Sequence, residues 1–134
     1  MMWPDVIQAL VAKLSADSLL TTYMGTTDNS SFIYRSRTRV SIQIPCVVWT
    51  IISSTTNENY APVVIQWDLF AKGAEQAAKI ELRLFELMHA DVPVQIGPLK
   101  MWSQLENGLD VHSEDQSVVH RALEYRYTPA RQNG

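Results

Sequence analysis

The residues best suited to chemistry in this 134-residue chain are one cysteine, three histidines and two small charged clusters. Cys46 follows a proline inside the apolar run 45–52 (Pro Cys Val Val Trp Thr Ile Ile), where a thiolate would be desolvated and inaccessible. A free cysteine in such a run is more often a small core side chain than a nucleophile. His89 closes a helical stretch, where an imidazole can meet the last carbonyls and the negative end of the helix dipole. His112 sits in an acidic stretch and His120 in an alternating one. Their spacing is neither HxxxH nor HxH and there is no second cysteine, so neither a metal nor any other cofactor is expected. Glu106, Asp110, Glu114 and Asp115 could gather around calcium, but their spacing is not that of an EF-hand loop. A solvated acidic loop is the simpler reading. Arg35, Arg37 and Arg39 likewise read first as a solvated loop carrying three charges, and second as loop contacts to a partner. No Gly-rich phosphate loop, Gly-x-Ser-x-Gly elbow or Asp-x-Asp run occurs. The residues make no positive case for an enzyme. The best catalytic arrangement would be a hydrolase using His112 with Asp110 or Asp115.

Composition narrows the class further. A length of 134 residues, with 46% hydrophobic and 19% charged residues, describes one globular domain and excludes a disordered protein. The net charge of -3 is too small and of the wrong sign for a domain that grips phosphates. No apolar run reaches the roughly 18 residues of a membrane-spanning helix, so no membrane contact is expected. Asp5 interrupts any signal-peptide core, which predicts a soluble protein made without export. A single cysteine fits a reducing compartment.

The elements that must position these groups follow from periodicity. Trp3, Val6, Ile7, Leu10, Val11 and Leu14 recur at helical spacing and predict a helix over residues 4–14, with Pro4 in its first turn. Asp17 is the best cap for a short helix over 18–24, which Gly25 stops. Phe32, Ile33 and Tyr34 predict a short strand over 32–34, and 36–43 reads as a loop or irregular edge. Residues 44–89 form the centre: a strand over 45–52, a polar turn from Ser53 to Pro62, a strand over 63–71 and a helix over 74–89. In the second strand Val63, Ile65, Trp67, Leu69 and Ala71 share one face, and Val64, Gln66, Asp68 and Phe70 share the mixed face opposite. In the helix Ala77, Ile80, Leu84 and Leu87 form one row, flanked by Ala78, Leu82, Phe85 and Met88. Residues 91–98 form a connector in which Val92, Val94 and Ile96 could lie extended along the sheet edge. Alternation predicts strands over 99–106 and 118–127, separated by an acidic loop over 107–117 and followed by a tail over 128–134. The expected fold is α+β: a mainly antiparallel sheet of about four to five strands with one long helix and the N-terminal helix packed against it. Trp49 and Trp67 occupy facing strands and are expected in or near the core. Trp102 shares its face with Lys100, Gln104 and Glu106, so an exposed or interface position is as open as a buried one.

The order of elements carries a resemblance. Leu14 Ser15 Ala16 Asp17, then Ile33 Tyr34, then Ile44 Pro45 Cys46 Val47 Val48 Trp49, the helix 74–88 and the closing Arg121 Ala122 Leu123 Glu124 Tyr125 Arg126 Tyr127 are its landmarks. Together they resemble the tail-completion proteins of long-tailed bacteriophages and prophages, also called tail terminators or tail-to-head joining proteins. The likeness spans residues 4–128 and rests on element order and short local patterns; segments 26–31 and 36–43 carry little of it. It implies a structural virion protein at the head-proximal end of the tail, assembled in the host cytoplasm. Such proteins form a homo-oligomeric ring, commonly of about six subunits. The ring caps the tail tube, stops its growth and presents a surface to the head-completion or connector protein. DNA passes through it without being read, a passage that mild acidity suits. On this reading Trp102, Glu106, Arg121 and Arg126 meet neighbouring subunits or line the lumen. The acidic Asp110, Glu114 and Asp115 then face the lumen or the tube, and Arg35, Arg37 and Arg39 become loop contacts. The alternative is a small bacterial adaptor domain, without a ring, that binds a protein partner through Trp102 and the last strand.

Overall fold

The computed structural model describes residues 3–25, 33–35, 44–54, 62–97, 99–111 and 117–130. In chain order the elements are α1 (Trp3–Ser15), α2 (Ser18–Met24), β1 (Ile33–Arg35), β2 (Cys46–Ser54), β3 (Val63–Ala71), α3 (Ala74–Met88), β4 (Val94–Ile96), β5 (Leu99–Val111) and β6 (Val119–Pro129). Strand alternation sets the layers. Val63, Ile65, Trp67, Leu69 and Ala71 are all fully buried on the face of β3 that the helices cover. The same parity in β6 puts Leu123, Tyr125 and Tyr127 into that layer. α3 lays its Ala77, Ile80, Leu84 and Met88 row over β3, β6 and β5, and α1 adds Val6, Ile7, Leu10 and Leu14. Each such large side chain stabilises the fold by about 1.5–3 kcal/mol relative to an exposed one.

The sheet has six strands in the order β1-β2-β3-β6-β5-β4. The central β2–β3 pairing is antiparallel, as the hairpin pattern predicts, and sets Trp49 opposite Trp67. Trp67 is fully buried, whereas Trp49 is only partly covered. β1 lies parallel to β2, an orientation that a three-residue apolar triplet does not encode.

Several boundaries differ from the sequence expectation, each for a local reason. β5 continues five residues past Glu106 to Val111, so the first half of the expected acidic loop is strand paired with β6. A bulge between Leu105 and Asn107 breaks the period of two there, and Asn107, Gly108 and Asp110 imitate a turn. β6 runs on to Pro129, which stands opposite Met101 of β5 at the end of the strand. Val94–Ile96 is a true strand paired with Leu99–Met101, while Val92 is exposed. In α3 the fourth buried position is Met88 rather than Leu87, and Leu82 and Phe85 on the flank are exposed.

The caps are as the sequence implies. Asp17 Oδ2 accepts a hydrogen bond from the Leu20 amide at 2.8 Å, and Gly25 adopts the left-handed conformation that closes α2. Arg83 of α3 then grips the same Asp17 carboxylate from both sides, at 2.8 and 2.6 Å. That pair fixes α2 against the long helix, and it holds the Asp17 carboxyl below the usual carboxylate range.

Candidate functional site

The sheet presents two different surfaces. One lies under the helices; the other carries the opposite parity of every strand. On this second face Val64, Gln66, Asp68 and Phe70 of β3 stand beside Arg126, Glu124, Ala122 and His120 of β6. The mixed composition supports a polar network. Gln66 Nε2 donates to both Asp68 oxygens at 3.1 and 2.9 Å, His120 Nε2 lies 2.7 Å from Asp68 Oδ1, and the His120 ring stacks on Phe70 with centroids 4.1 Å apart. Asp68 and His120 are largely buried side chains. Cys46 lies on the same face, opposite Phe70. Phe70 therefore stands between the thiol and the imidazole, two strand spacings or about 9–10 Å apart, too far for a nucleophile and its base. Burial pushes the Cys46 thiol up to about 11, as expected for an inert core cysteine. The network braces the sheet.

The residues singled out from sequence do not share one surface. Trp102 lies on the second face, 37% exposed, opposite Thr128. Arg126 lies on that face too and pairs with Glu106 at the bulge. Arg121 has the other parity and turns toward α3, where Glu81 receives its guanidinium at 2.7 and 3.1 Å; Asp110 completes the group at 3.3 Å. These carboxylates hold the Arg121 guanidinium in its charged form. Asp110 is thus engaged with Arg121, and the other members of the expected hydrolase arrangement fall outside the described residues. Arg35 is the last residue of β1. His112, Glu114, Asp115, Arg37 and Arg39 lie outside the described residues.

His89 does more than cap a helix. Its Nδ1 accepts the Leu105 amide of β5 at 3.1 Å, its ring stacks on Phe85 with centroids 4.5 Å apart, and its Nε2 lies 3.5 Å from an Asp91 oxygen. Beside it Ser103 donates to the Met88 carbonyl and the Ala90 amide donates to Ser103 O at 2.9 Å. The end of α3 is thereby fastened to β5.

Sequence reasoning missed a groove just beyond this fastening. Ala78, Glu81, Leu82 and Phe85 of α3 face Leu105 and Tyr125 across a cleft of about 280 Å³. Tyr125 is fully buried, and its hydroxyl has no hydrogen-bond partner among the described residues. Burial pushes its phenol well above the usual range. The signal in the sequence was the Ala78, Leu82, Phe85 flank, an apolar stripe wider than the sheet beneath it requires.

Among the described residues no helix is long and apolar enough to cross a membrane, and no group of His, Cys, Asp or Glu is arranged to hold a metal ion. No family profile matches the sequence, and no curated protein matches it. The fold does have solved neighbours. A chain of the virion of a native gene transfer agent particle superposes with a TM-score of 0.65 at 12% identity, covering 91% of this chain and 92% of its own. The gp17 protein of bacteriophage SPP1 superposes with a TM-score of 0.65 at 17% identity, covering 98% of this chain and 93% of its own. At such identities the likeness is one of fold. One neighbour is part of a virion and the other a bacteriophage protein, in keeping with the resemblance drawn from the sequence.

Proposed function

We propose that this chain is a structural, non-enzymatic virion protein that caps the phage tail tube as an oligomeric ring, ends tail growth and forms the joint to the head connector. The observation that carries it is the recurrence of the fold, over almost the full length of both chains, in a virion component and in a bacteriophage protein. The charge pattern supports the same role. Arg121 and Arg126 are each engaged by carboxylates, so neither is offered to phosphate, and the chain carries net charge -3. A lumen of that character lets DNA slide without gripping it. Its partners are then other copies of itself, the tail-tube protein and the head-completion or connector protein, and its place is the head-proximal end of the tail. The whole chain acts as one domain in this role.

Deleting the gene from the phage or prophage that encodes it tests the role. The expected lysate contains tails of uncontrolled length that do not join heads. Tails of normal length on filled heads would overturn the proposal.

A further inference from the structure

We propose that the outer edge of β5 from Glu106 to Val111, together with the groove beside it, receives the β1 edge of a second copy of this chain. The inference deepens the ring reading, on which it rests. β5 pairs with β6 along nearly its whole length, but on its other side only with β4, over Leu99–Met101. Two further bonds follow, from Ala90 to Ser103 and from Leu105 to His89. Past Leu105 that edge has no backbone partner among the described residues. A row of unpaired amides and carbonyls is a template for an added strand.

The groove begins where the free edge begins, since Leu105 lines it. Leu82 is 60% exposed on its wall, Phe85 stands beside it, and the buried Tyr125 contributes to its floor. An arriving strand would cover the two apolar side chains.

Charge selects the occupant. The receiving edge carries the acids Glu106 and Asp110, Asp110 with its side chain 85% exposed. Pairing β5 with β5 would oppose like charges. Among the described residues the sheet's other terminal strand is β1, paired on one side with β2 and reading Ile33, Tyr34, Arg35. It supplies two apolar residues and a cation, and its three residues fit within the free length of β5. Because the two edges differ, the contact is heterologous and repeats from copy to copy until it closes.

The test uses the full chain with Arg35→Cys combined in turn with Asn107→Cys, Leu109→Cys and Asp110→Cys, oxidised and run on a non-reducing gel. At least one pair should give a ladder of covalent oligomers that neither single variant gives. In parallel, Leu82→Glu should weaken self-association by at least about tenfold while keeping the wild-type circular dichroism. Leu19→Glu, at a 40%-exposed position on α2, should leave association unchanged. No ladder from any pair, with Leu82→Glu associating as wild type, overturns the contact. If the wild type still forms rings in that case, the ring reading stands and only this interface falls. A ladder with unaltered Leu82→Glu association overturns the part assigned to the groove.

Discussion

Trp67 shows how one side chain ties the layers together. It is fully buried, its Nε1 donates to Tyr127 Oη at 3.1 Å, and Tyr127 Oη lies 3.4 Å from Met88 Sδ. Sheet and long helix therefore meet through one satisfied polar chain inside an apolar layer. Trp67→Ala should lower unfolding free energy by about 3–5 kcal/mol in urea denaturation, and a loss below about 1 kcal/mol would contradict its place in the core. Asp17 governs a pH effect. Its carboxyl is held below the ordinary range, chiefly by the Arg83 hydrogen bonds. The folded state thus prefers the ionised form, and the resulting stability is complete above the ordinary carboxylate pKa of about 4. It disappears as pH falls through the lower folded value. Asp17→Asn keeps a capping side chain but should flatten that acid limb of the stability profile; an unchanged limb would count against the pair. Both residues were legible beforehand, Trp67 from alternation and Asp17 from its place before Leu19 and Leu20. Arg83 as its partner was not, because the two are 66 positions apart and only the packing of α3 brings them together.

At the scale of elements, helices and central strands follow from local pattern and the edges do not. α1, α2, β3 and α3 lie within about a residue of the spans that periodicity and capping predict. β5 escaped because a bulge reverses its parity after Leu105, so a reader counting in twos loses the strand where Asn107 and Gly108 begin. β4 is three residues long and framed by Pro93 and Gly97; the alternation of Val94 and Ile96 marks it as an extended edge segment, although Val92 lies outside it. The direction of β1 was out of reach for a different reason: parallel pairing depends on the path of the intervening chain, not on the triplet. Amide exchange decides the disputed segment. Amides of residues 107–111 that face β6 should exchange slowly, with protection near that of residues 121–124. Exchange at unprotected rates throughout 107–111 would restore the acidic loop.

For the whole molecule the division of labour is clearer than sequence alone allowed. The face under the helices is a continuous core, and the face opposite is braced by the Gln66, Asp68, His120 and Phe70 network. Of the expected site residues, Trp102, Glu106 and Arg126 belong to one surface, while Asp110 and Arg121 belong to the other, bound to Glu81. Reading charges strand by strand could not separate them, since the bulge moves Asp110 across. Among the described residues the outer edges of β1 and of the far half of β5 remain unpaired, the latter with a groove beside it, features suited to a neighbour rather than a substrate. The central claim is assembly into a ring, and electron microscopy of the purified protein, alone and mixed with tail-tube protein, tests it most directly. Rings with a central hole are the predicted result. Isolated monomers in both samples at every concentration would contradict it.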